Sequence, residues 1–461
     1  MNDAAPQADA LAALSTLLGD RVSTATALRT QHGRGESWHA TALPDVVVFP
    51  QTTEEVAAAV KICARHNLPI IPFGAGTSLE GQVVAVKGGV CFDLSRMTRI
   101  VAVNAADLDC VIEPGVMRKQ LNTHLRDQGL FFPIDPGAEA TIGGMVATRA
   151  SGTNAVRYGT MRDNVLGLTV VLASGEVIKT GGRARKSAAG YDLTRLMIGS
   201  EGTLGIVTEI TLRLHGIPEA TAAATVTYDA VGPAVETVIA VIQAGIPIAR
   251  IEFLDEVSIA AVNSYSKLSL PVKPTLLMEF HGSEAGVREQ AEAVGAIAAD
   301  FGGGGFTWAE KAEERAQLWE ARHKAYYAGL AMRPNSAGVV TDVCVPISHL
   351  AECIVATKAD LATTSIPTPL MGHVGDGNFH VCFIVDPTKP DEIHTAEKMH
   401  DRMVERALSF GGTCTGEHGI GLGKREHLRH EAGEGAVAAM RSIKQALDPA
   451  GIMNPGKIFV S

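Results

Sequence analysis

Between Asp45 and Gly81 the sequence leaves little freedom of fold. Val46-Val47-Val48-Phe49-Pro50 is a short β-branched run, and Thr52-Thr53-Glu54-Glu55 follows as a helix start. Thr supplies an N-cap there, and the two acids sit where the helix dipole favours negative charge. Val56 to His66 carries the helix, and Leu68-Pro69-Ile70-Ile71-Pro72 reads as the next strand. This β-α-β unit delivers the chain into Gly74-Ala75-Gly76-Thr77-Ser78. Successive amides without large side chains can face a phosphate, and the two hydroxyls add donors. Leu79 stands where a dinucleotide fingerprint needs its third glycine, and no Gly-Lys-Ser/Thr makes it a Walker loop. By itself such a turn can also be no more than a turn.

The same economy of side chains recurs downstream. Thr141-Ile142-Gly143-Gly144 precedes Ser151-Gly152-Thr153-Asn154, and Tyr158-Gly159 follows; Ser174-Gly175-Glu176 is a hairpin turn; Gly199-Ser200-Glu201-Gly202-Thr203-Leu204-Gly205 runs straight into the strand at Ile210 to Leu214. From Pro218 the texture changes to strands alternating with helices: strands at 225–228, 249–254 and 276–281, helices at 233–244, 283–299 and 313–330. That alternation after a break suggests a separate α+β domain. A last helix is expected over 436–447.

A second glycine-framed constellation lies near the C-terminus. His373 and His380 flank Gly375-Asp376-Gly377, and Glu417-His418 sits between Gly416 and Gly419. Imidazole and carboxylate are ordinary ligands for a divalent metal, and an adjacent imidazole can serve as a base near neutral pH. Isolated loop histidines are more often simply solvated, but four such groups on two short segments weigh against that reading. In a straight strand, residues seven apart point to opposite faces, so His373 and His380 reach one ion only if the Gly375–Gly377 segment bends the chain. Asp376 reads as turn chemistry, and Asn378 as a partner behind the histidines.

Composition limits the classes open to such a chain. At 461 residues two or three domains are expected. A net charge of -10 gives no encouragement to nucleic acid or an acidic membrane as a partner, because both need a cationic footprint. The seven cysteines are scattered with no CxxC pair, which fits buried thiols in a reducing compartment. Met1 to Pro6 lacks the basic and apolar regions of a secretory signal, and no run of about 18 apolar residues occurs. The expectation is a cytoplasmic enzyme.

Taken together, the turn at 74–78, Ile142-Gly143-Gly144, Tyr158-Gly159, the 199–205 run, His373 to His380, Gly416 to Lys424 and Met453-Asn454-Pro455-Gly456-Lys457 resemble one family. It is the flavoproteins with a vanillyl-alcohol-oxidase (PCMH-type) FAD domain, in their D-2-hydroxyacid dehydrogenase branch. The resemblance covers nearly everything after residue 40. It implies an α+β fold: an N-terminal helical segment (1–41), a two-subdomain FAD domain (42–217), a substrate or cap domain (218–410) and a C-terminal segment (411–461) returning to the flavin domain. FAD would be noncovalent, since the first turn holds no histidine. Gly74, Ala75, Gly76, Thr77 and Ser78 would cradle its pyrophosphate, with Pro72 and Gly81 also among the cofactor-binding residues. Pro136, Gly137, Ile142, Gly143, Thr148, Gly152 and Asn154 would line its path, with Tyr158 and Gly159 also cofactor-binding. Ile206 and Val207 would lie along the flavin with Asn454 near it, and Glu201 and Gly205 would also be cofactor-binding.

The resemblance further implies that His373, His380 and Glu417 bind Zn²⁺ or Mn²⁺ while the two histidines face the substrate, that His418 takes the hydroxyl proton, and that Arg322 holds the carboxylate as C2 hydride passes to flavin N5. Arg322 could instead be an ion pair on a helix surface. No second cation appears in Val339-Val340-Thr341-Asp342, and Arg183 to Asp192 is most like the D-lactate enzymes, so a monocarboxylate, D-lactate or D-2-hydroxybutyrate, is favoured. Cytochrome c, a quinone and an electron-transfer flavoprotein are all compatible acceptors, and a homodimer is compatible with the sequence. The rivals are a D-2-hydroxyglutarate enzyme, a glycolate-oxidase-D-like subunit, and an alkylglycerone-phosphate-synthase-like transferase, whose peroxisomal Ser-Lys-Leu ending is not found in Ile458-Phe459-Val460-Ser461.

Overall fold

The computed structural model describes residues 4–309 and 311–460. The chain divides into two compact units, one formed by residues 1–151, 159–217 and 417–461, the other by 152–158 and 218–416.

In the first unit, the strands Val46–Val48 and Ile70–Phe73 of the β-α-β segment are not neighbours. Val90–Asp93 lies between them, parallel to both, and Val22–Ser23 closes the other edge antiparallel. The intervening helix Thr53–Arg65 is capped as its sequence suggests, with the Thr52 side chain accepting from the Glu55 amide. It buries Val56, Ala59, Val60 and Cys63 in a core shared with Phe92, Met97 and Met453. A second, five-stranded antiparallel sheet runs Ile100–Asn104, Asp109–Ile112, Ile206–Arg213, Val165–Val171, Val177–Lys179. Its strand Ile206–Arg213 alternates buried and half-buried residues, the period of a pleated strand with one face in the core.

The second unit is built on one antiparallel sheet. Its order is Gly304–Ala309, Ala220–Thr227, Thr275–Gly282, Arg250–Leu254, Leu370–Gly372, Asn378–Val385, Ala337–Val340, with Val343–Cys344 also pairing with Asn378–Val385. The strand Asn378–Val385 is buried along its whole length, so its apolar run carries no alternation. The helix expected over 313–330 is two helices, Ala312–His323 and Ala325–Ala331, joined at Lys324. The last helical span, in the first unit, is Arg425–Leu447, broken by non-helical geometry at Gly433, and the helix expected over 436–447 lies in the part after that break. All seven cysteines are free thiols. Among the described residues no helix is long and apolar enough to cross a membrane.

Candidate active site

The cleft of the first unit forms where the strand Ile70–Phe73 ends. Pro72, Phe73 and Gly74 line one wall, Thr141, Gly143, Gly144 and Ala147 a second, and Gly202, Gly205 and Val207 a third. The glycines are there for space. A Cβ on Gly74 would strike Thr141 Oγ1, and one on Gly143 would come within 2.5 Å of Pro114. On Gly202 it would sit 2.8 Å from the Pro72 ring. Ser78 Oγ is buried and has no hydrogen-bond partner among the described residues, as suits a hydroxyl awaiting a polar ligand.

Of the residues expected at the cofactor, Pro72, Gly74, Gly143, Gly205 and Val207 line this one cleft. Ala75, Gly76, Thr77 and Ser78 continue from its rim along the chain. Ile142 and Ile206 face the core. Thr148 Oγ1 bonds back to the Gly144 carbonyl, and Gly81 packs on Leu422 and His39. Pro136 is half-buried and Gly137 exposed. Gly159 turns against Asp163. Gly152, Asn154 and Tyr158 belong to the second unit. There Asn154 Oδ1 accepts from Arg250 Nε at 2.9 Å, and the Tyr158 hydroxyl meets His281 Nδ1 at 2.8 Å.

Glu201 and Asn454 act between segments of the first unit. Asn454 Nδ2 donates to the carbonyls of Gln82 and Glu201, at 3.0 and 2.7 Å. The buried Glu201 carboxylate accepts the amides of Ile420 (2.6 Å) and Gly421 (2.8 Å). Burial pushes its pKa up to about 7, with those amides, Lys457 and Lys424 pulling the other way. Burial likewise lowers Lys457 to about 8. In the same unit Gln82 Nε2 donates to the His418 carbonyl at 2.8 Å.

The histidine pair of the second unit is set by a hairpin. Leu370–Gly372 and Asn378–Val385 pair antiparallel with Met371 opposite His380. The reversal is one 3₁₀ turn, Val374–Asp376, closed by Gly377 at φ +79°. The bend that the spacing of seven demands is present, and it brings the two imidazole centroids to 5.4 Å at 83°. Asp376 is exposed on that turn.

Each imidazole is braced from behind through Nδ1. His373 Nδ1 donates to Glu252 Oε1 at 2.7 Å, and His380 Nδ1 to the Thr341 carbonyl at 3.1 Å. Both acceptors require the proton on Nδ1, which puts the ring lone pair on Nε2. An acceptor behind Nδ1 is the usual support of a metal-ligating histidine. Asp342 lies 3.6 Å from His380 Nδ1 and is held by Asn378 Nδ2 and Thr415 Oγ1, each at 2.7 Å. A Cβ on Gly416 would strike Asn378 Nδ2. The chain therefore runs over this Asp342–Asn378 pair immediately before it reaches Glu417.

Arg322 is in the same network, almost fully buried. Its Nε and Nη2 fork onto Glu252 Oε2 at 2.9 and 2.7 Å, and Nη1 faces Met371 Sδ at 3.9 Å. Glu252 thus serves two masters, His373 through one oxygen and Arg322 through the other. Sequence reasoning missed Glu252, Thr341, Asp342 and Gln82. Glu252 did leave a signal, a carboxylate inside the apolar run Ile251-Glu252-Phe253-Leu254, because an acid is kept in a buried strand only with partners.

Comparison with known proteins agrees with this architecture. Residues 44–181 match the family described as FAD binding domain, and 217–458 match FAD linked oxidases, C-terminal domain. The probable mitochondrial D-lactate dehydrogenase of Danio rerio is 54% identical over 96% of this chain and 90% of its own. The mitochondrial D-lactate dehydrogenase [cytochrome] of Arabidopsis thaliana is 49% identical, over 97% and 79%. A crystal structure of p-cresol methylhydroxylase with substrate bound superposes with a TM-score of 0.81 over 99% of this chain and 98% of that one, at 18% identity, a likeness of fold. The expected α+β fold with its FAD domain holds. The expected cytoplasmic location does not, because both relatives are named as mitochondrial. Scattered free thiols do not tell cytoplasm from organelle. The chain belongs to the FAD-linked oxidases, in the family that includes the D-lactate dehydrogenases of these relatives.

Proposed function

We propose that this chain oxidises D-lactate to pyruvate with noncovalently bound FAD and a divalent metal, passing the electrons to a cytochrome. The carrying observation is the His373–His380 pair, with both Nδ1 protons committed to acceptors behind the rings. The names of the Danio and Arabidopsis relatives support the substrate, and "cytochrome" in the second supports the acceptor class. In this reading residues 42–217 hold FAD, 218–410 hold the substrate, and 411–461 supply the base.

The glycine-walled cleft and the buried Ser78 hydroxyl fit the cofactor. Bound FAD would supply the two-electron acceptor for the hydrogen on C2. His373 and His380 fit a metal through Nε2, and in this reading Glu417 would complete a His₂Glu donor set. Zn²⁺ or Mn²⁺ there would supply Lewis acidity toward the substrate's hydroxyl. His418 accepts that hydroxyl's proton. Arg322 orients the carboxylate with the Nη1 edge that Glu252 does not occupy. A planar guanidinium already fixed on one carboxylate loses little further freedom in meeting another.

Steady-state turnover with an artificial acceptor tests the reading. D-lactate is expected to be oxidised and L-lactate not. His418→Asn should lower kcat roughly 10²–10⁴-fold, the contribution of a positioned base. Equal turnover of both enantiomers, or a His418→Asn variant as fast as wild type, contradicts it.

A further inference from the structure

The segment that follows Glu417 is held almost atom by atom within the first unit, and two residues outside it hold the part nearest His418. Gln82 Nε2 donates to the His418 carbonyl at 2.8 Å. The two Glu201 oxygens divide the next amides, Oε1 taking Ile420 N at 2.6 Å and Oε2 taking Gly421 N at 2.8 Å. Gly419 has φ +80°, and a Cβ there would lie 2.5 Å from Glu201 Oε1, so the carboxylate occupies the space a side chain would need. Further along, Leu422 N donates to the Glu80 carbonyl at 2.7 Å, and Lys424 Nζ pairs with the Glu80 carboxylate at 3.0 Å.

Glu201 is itself costly to keep. It is 4% exposed and takes the left-handed backbone region at φ +53°, unusual for a residue with a side chain. Its own backbone is fixed at both ends, N–H to the Ala147 carbonyl at 2.9 Å and carbonyl to Asn454 Nδ2 at 2.7 Å. A carboxylate buried in a strained turn, with both oxygens spent on backbone amides of one remote loop, points to that loop as its purpose. Gln82 is fixed in turn, its Oε1 accepting from the Glu80 amide at 3.1 Å.

We propose that Glu201 and Gln82 are positioning residues for His418: they clamp the peptide units on its C-terminal side and so fix where its imidazole stands. This rests on the reading of His418 as the base. A base displaced by about 1 Å loses up to about 10²-fold in rate, whereas binding of the cofactor and the ground-state substrate does not depend on it.

The test uses the FAD-loaded full chain, wild type beside Glu201→Gln and Gln82→Ala, with turnover of D-lactate, FAD content and hydrogen exchange of the 417–421 segment. Glu201→Gln keeps the size of the side chain and sets an NH₂ against one of the two amides. Faster exchange at Ile420 and Gly421, and kcat lowered about 10- to 100-fold with KM within threefold and FAD content at the wild-type level, is the expected result. Gln82→Ala, the smaller perturbation, should lower kcat in the same pattern. Unchanged kcat in both variants, or FAD lost in proportion to activity, overturns the proposal. So does wild-type exchange at the two amides in Glu201→Gln, whatever the enzyme oxidises. A wild-type protein that leaves D-lactate untouched overturns the functional reading itself, while exchange at the two amides still tests the Glu201 clamp.

Discussion

Glu252 is 1% exposed in an apolar strand, and its two oxygens hold two expected site residues, His373 and Arg322. Taking its charge away leaves a buried guanidinium without its partner. Glu252→Gln is therefore expected to destabilise the protein by about 3–5 kcal/mol, read from urea unfolding. Replacing Arg322 by Met in that variant should recover part of the loss, because the pair is removed together. A cost under about 1 kcal/mol would show the pair to be solvated. Glu201 makes a different claim, about pH. Burial raises its pKa from 4.5 to about 7, against the pull of its two amides and of Lys457 and Lys424, and Arg149 also faces it. Between those values the folded chain holds a proton that the unfolded chain has released. The stabilisation is full below the unfolded pKa and is lost as pH rises through about 7. Thermal unfolding of Glu201→Gln should lack this slope between pH 4.5 and 7; an identical pH dependence in the two proteins would contradict the buried, titrating carboxyl.

The hairpin carrying His373 and His380 depends on a single backbone position. Gly377 ends the 3₁₀ turn at φ +79°, and a Cβ there would strike the Val345 carbonyl. Gly377→Ala should cost about 1–3 kcal/mol through the left-handed conformation, and more through the clash. It should also weaken metal retention, measured by metal analysis after dialysis, since the two imidazoles would lose their register. Undiminished retention would mean that the pair does not need this turn. At this scale much was legible. The β-α-β segment, the Thr52 cap and the need for a bend between the histidines follow from local pattern, and local pattern is what a sequence displays. The insertion of Val90–Asp93 between the two strands, and the partners Glu252, Thr341 and Gln82, depend on contacts between distant segments. Glu252 lies 121 residues from His373, and Gln82 lies 336 from His418. The helix read as continuous over 313–330 breaks at Lys324, where no proline or glycine marks the place.

At the scale of the molecule, the glycine-walled cleft lies in one unit and the histidine pair in the other, and the chain passes from the second unit to the first between Gly416 and Glu417. The expected base, His418, is thus among the first residues of the returning segment, which also carries Met453 into the first unit's core and Asn454 to Glu201. The glycine-rich turns announced the cofactor, whereas the cellular address left no mark that composition could reveal. In the proposed reaction FAD, a metal on His373, His380 and Glu417, and a D-2-hydroxy acid act together. The direct measurement is the visible spectrum of the purified protein under anaerobic conditions, with D- or L-lactate, before and after a chelator. A flavin spectrum that bleaches with D-lactate, persists with L-lactate, and persists with D-lactate once the metal is stripped is expected. Bleaching by neither enantiomer, or bleaching by D-lactate that the chelator leaves untouched, would contradict it.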